Sequence, residues 1–96
     1  MANQITFIGA GNMASAIIGG LIDSGVAPST ITATAPNDSE LAAIKQRLGI
    51  NTDTDNNAAV AEADVVVLAV KPQIMRNVCE ALRDSVQRQK PLVISI

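Results

Sequence analysis

The chain has 96 residues, enough for one domain built around a single core. Hydrophobic residues make up 48% of it but aromatic residues only 1%, which predicts an aliphatic, alanine-rich core of the kind found where helices pack on a sheet. The formal net charge is −2, and the seven basic and nine acidic residues are spread along the chain. Without a basic stripe or an aromatic platform, a nucleic-acid partner is not expected.

Cysteine and apolar patterning narrow the class of protein further. The single cysteine, Cys79, and the lack of histidine exclude a disulfide within the chain and argue against a Cys/His metal site, so we expect no bound metal. No apolar stretch reaches the roughly 18 residues of a membrane span, and no signal-like segment opens the sequence. We therefore expect a cytoplasmic location and no membrane partner.

The predicted elements begin with a strand over about Gln4–Gly9, which runs into a G-x-G-x-x-A turn and a helix. The helix should extend from about Asn12 to Ser24 and end at Gly25. Its interior pair Gly19-Gly20 predicts close packing, because each glycine costs about 1 kcal/mol relative to Ala inside a helix. The apolar residues at helical spacing on its packed side are Met13, Ile17, Ile18, Leu21 and Ile22.

The middle of the chain is predicted to form a strand, a helix, a short strand and a short helix. After a loop at Pro28-Ser29, the second strand should cover about Thr30–Ala35 and stop at Pro36. The second helix should end at Gly49, and its N-cap should be Asn37, Asp38 or Ser39. Its inward-facing residues should be Leu41, Ile44 and Leu48. A third strand over Ile50–Thr52 precedes a helix that Asn56-Asn57 opens and that ends near Ala63, with Asp53, Asp55 and Asp64 in turns and caps.

The last third begins with the continuous apolar run Val65–Val70, as in a strand buried on both faces. Lys71-Pro72 ends the run, and Pro72 suits the first turn of the following helix. That helix should extend from about Gln73 to Val86, and a final strand from Leu92 to Ile96. Its predicted inward stripe comprises Ile74, Val78, Leu82 and Val86, with Cys79 beside it as a small core residue.

The alternation of strands and helices predicts an α/β fold, a Rossmann-type doubly wound parallel sheet with strand order 3-2-1-4-5, in one domain over residues 1–96. The carboxyl ends of parallel strands meet at one edge of the sheet. Four loops should therefore converge there: 9–13, 35–37, the loop at Asn56, and 69–72. This convergence predicts a ligand site at that edge.

The turn Gly9-Ala10-Gly11-Asn12-Met13-Ala14 carries the strongest chemical signal. Gly9 permits a tight turn, Gly11 lets the backbone approach a pyrophosphate, and the small Ala14 lets the helix lie against the strand. The helix directs unpaired N–H groups and its positive dipole end at a bound anion. The pattern therefore predicts a dinucleotide-binding domain, against the alternative of an ordinary strand-to-helix turn.

The end of the second strand bears on which dinucleotide binds. It reads Thr34-Ala35-Pro36-Asn37, with no carboxylate before Asp38 to accept from a ribose 2′-hydroxyl, which favours NADP (NADPH) over NAD. Lys45 and Arg47 lie further along the second helix. Recognition of a 2′-phosphate should then depend on neutral donors: the Asn37 amide, the Ser39 hydroxyl and backbone N–H groups. NAD remains the alternative cofactor.

Two segments, residues 7–14 and Leu68-Ala69-Val70-Lys71-Pro72-Gln73, resemble pyrroline-5-carboxylate reductase, and the similarity runs along the whole chain. The A-V-K-P stretch is the more diagnostic of the two. The resemblance implies a pyrophosphate site, an adenosine site around Ala35, Asn37 and Asn56, and a nicotinamide-ribose site after the fourth strand. The implied cofactor-binding residues are Ile8, Gly9, Ala10, Gly11, Asn12, Met13, Ala35, Asn37, Asn56, Ala69, Val70, Lys71 and Pro72. Ala35 departs from the family pattern, which often has a serine or threonine before that proline.

The reaction that the resemblance implies is hydride transfer from NAD(P)H to 1-pyrroline-5-carboxylate, which gives L-proline. The family's substrate pocket and dimer contacts come from a helical C-terminal domain that would follow residue 96. We therefore expect cofactor binding without turnover by this chain, and no catalytic residue within it. The last strand would be an apolar edge, so we expect homo-oligomers through this edge or through nearby apolar surface.

Two other interpretations stay open. The first is a different small reductase, such as a 3-hydroxyacid dehydrogenase or a deazaflavin-linked NADP reductase, against which the A-V-K-P segment argues. The second is a non-catalytic nucleotide-binding module, since no catalytic acid or base is visible. Lys71 is equally consistent with a ligand contact and with a solvated strand end.

Overall fold

The computed structural model describes residues 3–96, which form a five-stranded sheet with four α-helices. The strands are β1 (Ile5–Ile8), β2 (Ile31–Thr34), β3 (Asn51–Asp53), β4 (Val65–Leu68) and β5 (Leu92–Ser95). The helices are α1 (Asn12–Asp23), α2 (Asp38–Leu48), α3 (Asn56–Ala61) and α4 (Pro72–Gln89), and a 3₁₀ turn covers Pro28–Thr30.

All neighbouring strands pair in parallel, in the order β3-β2-β1-β4-β5, so the predicted fold class and strand order are confirmed. The register aligns Ile8 with Thr34 on one side and with Leu68 on the other. Backbone hydrogen bonds continue just beyond the strands: Gly9 N donates to Thr34 O and Ala69 N donates to Ile8 O, both at 2.9 Å. These bonds hold the carboxyl ends of β1, β2 and β4 level with one another.

Two layers of helix sandwich the sheet, because side chains alternate between its faces along each strand. On one face, Phe7, Ala33 and Val67 join α1 and α2 in a cluster that includes Ala14, Ile18, Leu41 and Ile44. On the other face, Ile8, Val66 and Leu68 pack with residues of α3 and α4, among them Val60 and Leu82. We call these the α1/α2 face and the α3/α4 face.

Most of the predicted helix ends are confirmed, but α4 continues to Gln89, beyond the predicted end at Val86. Gly25 follows the C-cap of α1 with φ 106, and Gly49 ends α2 with φ 72. Of the three candidates, Asn37 is the N-cap of α2. Pro72 opens α4 as predicted. In the run Val65–Val70, β4 itself ends at Leu68, and Ala69 still donates its N–H to Ile8 O.

Three residues predicted to face inward are exposed, so these predictions are wrong. Met13 is 64% exposed, since the first turn of α1 projects past the edge of the sheet and Ala14 fills the position beneath. Ile74 is 46% exposed and Cys79 is also exposed, because α4 is covered on only one side. There Val78 and Val86 pack beside Leu82, so the buried stripe is narrower than the apolar pattern indicates.

One further expectation is corrected. An ideal Cβ built at Gly19 or Gly20 meets no atom within 4 Å outside its chain neighbours and the helix's own backbone, so the pair does not serve close packing. At α3 the predictions are confirmed: the helix begins at Asn56, and the carboxylate of its N-cap Asp55 accepts from the N–H groups of Asn57 and Ala58. Within residues 3–96, no helix combines the length and apolarity required to cross a bilayer.

Candidate functional site

Gly9 makes the contact between the glycine loop and the segment that follows β4. Its φ of +114 lies where residues with a side chain are strained. A Cβ there would lie 2.5 Å from the Ala69 carbonyl oxygen and 3.0 Å from its carbon. The loops after β1 and β4 are therefore in direct backbone contact, and only glycine allows it.

Gly11 stands at the N-cap of α1, where the backbone is extended with φ −78. An added Cβ at Gly11 would meet no atom within 4 Å, so the space in front of it is open. The first turn of any α-helix has N–H groups without partners inside the helix, and α1 begins at Asn12 with no side-chain cap. The N-terminus of α1 is therefore open to the space in front of Gly11, where the sequence predicts an anion.

Two hollows flank the glycine loop. The first, about 280 Å³, lies between the loop and the end of β4 and is lined by Gly11, Asn12, Met13, Ala14, Ala69, Val70, Lys71 and Ile96. The second, about 230 Å³, opens between α1 and α2 and is lined by Ala10, Gly11, Asn12, Ser15, Glu40, Ala43, Ile44 and Arg47. Gly11 and Asn12 are common to both, so one extended ligand could contact both hollows across the loop.

The end of β2 forms a third part of the candidate site. Ala35 is buried, whereas Asn37 is exposed and caps α2. Asn37 Oδ1 accepts from the Ser39 backbone N–H at 2.9 Å and from the Ser39 hydroxyl at 2.7 Å. These two donors fix Oδ1 toward the helix, so the Nδ2 amide of Asn37 faces away from it.

Ser39 differs from the expectation in one respect. It was predicted as a neutral donor to a phosphate, but its hydroxyl proton is already directed at Asn37. The hydroxyl therefore orients the Asn37 amide, while Asn37 Nδ2 is the donor left at this corner.

The remaining predicted residues fall in different places. Ala69, Val70 and Lys71 line the first hollow, and Lys71 is exposed at its rim. Pro72 begins α4 and is outside that lining. Asn56 is half-buried at the start of α3 and lines neither hollow, so the structure does not bring it together with the glycine loop.

Three residues beside the loop were not predicted from the sequence. Ile96 completes the first hollow, and Glu40 and Arg47 line the second. The spacing of Glu40, Ala43 and Arg47 along α2 places them on one helix face, but which neighbour that face meets is decided by the packing of α1 against α2. Among residues 3–96, no three metal-ligating side chains lie close enough together to hold an ion.

Comparison with known proteins places this arrangement in a family. Residues 4–96 match the family model described as NADP oxidoreductase, coenzyme F420-dependent. The chain is 50% identical over 93 residues to pyrroline-5-carboxylate reductase of Vibrio alginolyticus, covering 97% of this chain and 34% of that protein. It is 46% identical over 93 residues to the enzyme of the same name from Pseudomonas aeruginosa, covering 97% and 34%.

Two solved structures superpose on this chain and agree with the sequence comparison. A pyrroline-5-carboxylate reductase from Coxiella burnetii superposes with a TM-score of 0.93 at 45% identity, over 100% of this chain and 36% of that one. Plasmodium falciparum pyrroline carboxylate reductase with NADP bound gives a TM-score of 0.81 at 24% identity, over 98% and 33%, and shows the fold alone. The resemblance drawn from the sequence is confirmed, and the chain spans about a third of the length of the curated relatives it matches.

Proposed function

Because the chain belongs to the NADP oxidoreductase, coenzyme F420-dependent family, we propose that it is the NADPH-binding domain of a pyrroline-5-carboxylate reductase. Identities of 50% and 46% to two such reductases favour this activity within the family. The resident cofactor is NADPH, with NADH as the weaker alternative. The single observation that carries the proposal is the open backbone at Gly11, beside a Gly9 that only glycine can occupy.

The glycine loop holds the pyrophosphate in this proposal. The loop runs from Ile8 to Met13, and the N–H groups at the start of α1 face the space in front of Gly11. A side chain at Gly11 would fill that space, whereas hydrogen lets phosphate oxygens reach the amides. Ala10 is buried and supports the loop from the α1/α2 face.

The two ends of the cofactor lie on either side of the loop. Ala35 and Asn37 border the adenosine ribose, with Asn37 Nδ2 as the donor to a 2′-phosphate, and Asn56 contacts the adenosine end. Ala69, Val70, Lys71 and Pro72 lie along the nicotinamide ribose, supported by the lining of the first hollow for all except Pro72. The absence of a carboxylate before Asp38 supports NADPH over NADH.

The reaction of the whole enzyme is hydride transfer from NADPH to the C=N carbon of 1-pyrroline-5-carboxylate, giving L-proline in the last step of proline biosynthesis. NADPH supplies the hydride. The residues of this chain bind and orient the nicotinamide against the substrate. A protonated imine is already electrophilic, so the cofactor domain requires no acid of its own, and we assign it no catalytic residue.

Calorimetric titration of the chain with NADPH and with NADH tests the cofactor assignment. We expect NADPH to bind with 1:1 stoichiometry and more tightly than NADH. Tighter binding of NADH would overturn the cofactor preference, and failure of both to bind would overturn the domain's proposed role. A steady-state assay with 1-pyrroline-5-carboxylate should show no turnover by residues 1–96, because the domain supplies only the cofactor half of the site.

A second function follows from the family description, which names coenzyme F420. A reductase of that kind would transfer hydride between a reduced deazaflavin and NADP on the same glycine loop. Addition of an oxidised deazaflavin to the NADPH complex of the whole enzyme distinguishes the two, since only the deazaflavin-linked enzyme should transfer the hydride of NADPH to it.

A further inference from the structure

The second hollow beside the glycine loop contains two opposite charges to which the proposed function gives no role. The hollow opens between α1 and α2, has a volume of about 230 Å³, and is lined on the loop side by Gly11 and Asn12. Glu40 and Arg47 line it from α2. Within residues 3–96, neither of these two side chains is in an ion pair, so the carboxylate and the guanidinium are both available to a ligand.

The spacing of residues along α2 explains how the hollow forms. Glu40, Ala43 and Arg47 are three and four residues apart, so they lie in a row on one face of the helix. At a rise of about 1.5 Å per residue, the ends of this row are about 10 Å apart. The small side chain of Ala43 leaves the space between them open. The hollow therefore has a carboxylate toward the start of α2 and a guanidinium toward its end.

The side chain of Arg47 extends back toward the glycine loop. In an α-helix each side chain leans toward the N-terminus of the helix, so Arg47 is directed along α2 toward Ala43. The helix begins beyond the carboxyl end of β2, where Asn37 caps it. The guanidinium therefore points toward the edge of the sheet that carries the glycine loop, and it borders the same hollow as Gly11 and Asn12.

The second hollow lies on the adenosine side of the loop. The first hollow includes the segment after β4, which the proposed function assigns to the nicotinamide ribose, and the second lies across Gly11 from it. The second hollow is also on the α1/α2 face, where Ala35 is buried two residues before the Asn37 cap. A phosphate on an adenosine ribose bordered by Ala35 and Asn37 is therefore next to this hollow.

We propose that Arg47 determines the preference for NADPH, because its guanidinium binds the 2′-phosphate of the adenosine ribose in the second hollow. This inference rests on the proposed function and adds a cation to the neutral donor assigned at Asn37. A guanidinium presents parallel N–H groups to phosphate oxygens, and such a charge-assisted pair is stronger than a hydrogen bond from a neutral amide. NADH has a hydroxyl group in place of the phosphate and so lacks this attraction.

Glu40 acts in the opposite direction. Its carboxylate lines the same hollow and repels a phosphate there, whereas it can accept a hydrogen bond from the 2′-hydroxyl of NADH. Glu40 is exposed, so solvent and salt screen this repulsion, while Arg47 contacts the phosphate directly. The contact with Arg47 therefore outweighs the repulsion from Glu40, and the two charges together set the ratio of the two affinities.

Calorimetric titration of charge-removing variants with NADPH and with NADH tests the assignment. Arg47→Gln removes the guanidinium, and the affinity for NADPH should fall about tenfold while that for NADH changes by less than about twofold. Lys45→Gln is the matched control: it removes the same charge from the last turn of the same helix, but Lys45 is outside the lining of the hollow. It should change the affinity for NADPH by less than about twofold.

Two further measurements test the position and the sign of the contact. Adenosine 2′,5′-bisphosphate and 5′-AMP differ only in the 2′-phosphate, so Arg47→Gln should weaken binding of the first and leave binding of the second unchanged. Glu40→Gln removes the repulsion, and the affinity for NADPH should rise about two- to threefold while that for NADH does not rise. Thermal melts show that each variant is folded.

The outcomes separate this inference from the proposed function. If the unsubstituted chain binds neither nucleotide, both are overturned. If the chain binds NADPH, the proposed function stands, and three results would each overturn the role of Arg47. These are equal effects of Arg47→Gln and Lys45→Gln, equal loss of NADPH and NADH affinity in Arg47→Gln, and weaker NADPH binding by Glu40→Gln.

Discussion

The two glycines of the loop occupy opposite environments although they are two residues apart. Gly9 has φ +114 and faces the Ala69 carbonyl at a distance that leaves no room for a Cβ. Gly11 has an ordinary negative φ and open space in front of it. The first glycine is therefore required by the fold itself, and the second is required only when a ligand approaches. A substitution at Gly9 should therefore lower stability, whereas a substitution at Gly11 should weaken ligand binding.

The largest effect is expected from Gly9→Ala. The positive φ and the overlap with Ala69 together should lower the free energy of unfolding by roughly 3–5 kcal/mol, a large part of the total for a small domain. Urea denaturation monitored by far-UV circular dichroism measures it. Gly25→Ala is the control, because Gly25 has φ 106 with no neighbour near its Cβ, and should lose only about 1–2 kcal/mol.

Gly11→Ala should show the reverse pattern. Nothing surrounds its Cβ, so the cost is limited to the poorer N-cap that alanine makes, and the free energy of unfolding should fall by about 1 kcal/mol or less. The added methyl group would occupy the space assigned to the pyrophosphate, so the affinity for NADPH should fall at least about tenfold, or 1.4 kcal/mol. Calorimetric titration checks this, and unchanged affinity in a folded variant would remove the glycine loop from the cofactor site.

Asn37→Asp tests the proposed contact between Asn37 and the 2′-phosphate of the adenosine ribose. Aspartate caps a helix about as well as asparagine, so stability should be retained. The carboxylate replaces the outward Nδ2 donor and repels a 2′-phosphate, and NADPH affinity should fall about tenfold while NADH affinity holds or rises. Parallel titrations with both nucleotides measure the ratio. Equal loss for the two would place Asn37 away from the 2′-phosphate.

The smallest effect should come from Gly20→Ala in α1. No contact opposes the methyl group, and alanine is favoured over glycine in a helix interior by up to about 1 kcal/mol. Thermal and urea melts should show a gain in stability of that order, with NADPH binding unchanged. A loss of stability would mean that Gly20 is packed more closely than its surroundings indicate.

The helical spacing of apolar residues predicted the core correctly where a helix lies flat on the sheet, and poorly at the ends of the helices. Leu41 and Ile44 of α2 are buried as predicted. Met13 and Ile74 obey the same spacing but lie in the first turns of their helices, which project beyond the sheet edge. Sequence spacing defines a helix face, but it contains no information on where the neighbouring layer ends.

Residue type alone is also insufficient to place helix caps and strand ends. Asp55 and Asn56 are adjacent and both suit an N-cap, and only the path of the chain after β3 selects Asp55. The apolar run at 65–70 is uniform, yet β4 ends at Leu68 and Ala69 lies against Gly9 instead.

For this protein, the sequence by itself determined the alternation of strands and helices, the parallel sheet with its order, and the position of the glycine turn at 9–14 at the carboxyl end of β1. These follow from residue spacing and backbone freedom, which are local properties. Only the tertiary structure decided that Gly9 is held against Ala69, that Arg47 and Ile96 border the loop, and that Cys79 is exposed. Such contacts join residues distant along the chain, and their distances depend on how whole layers pack.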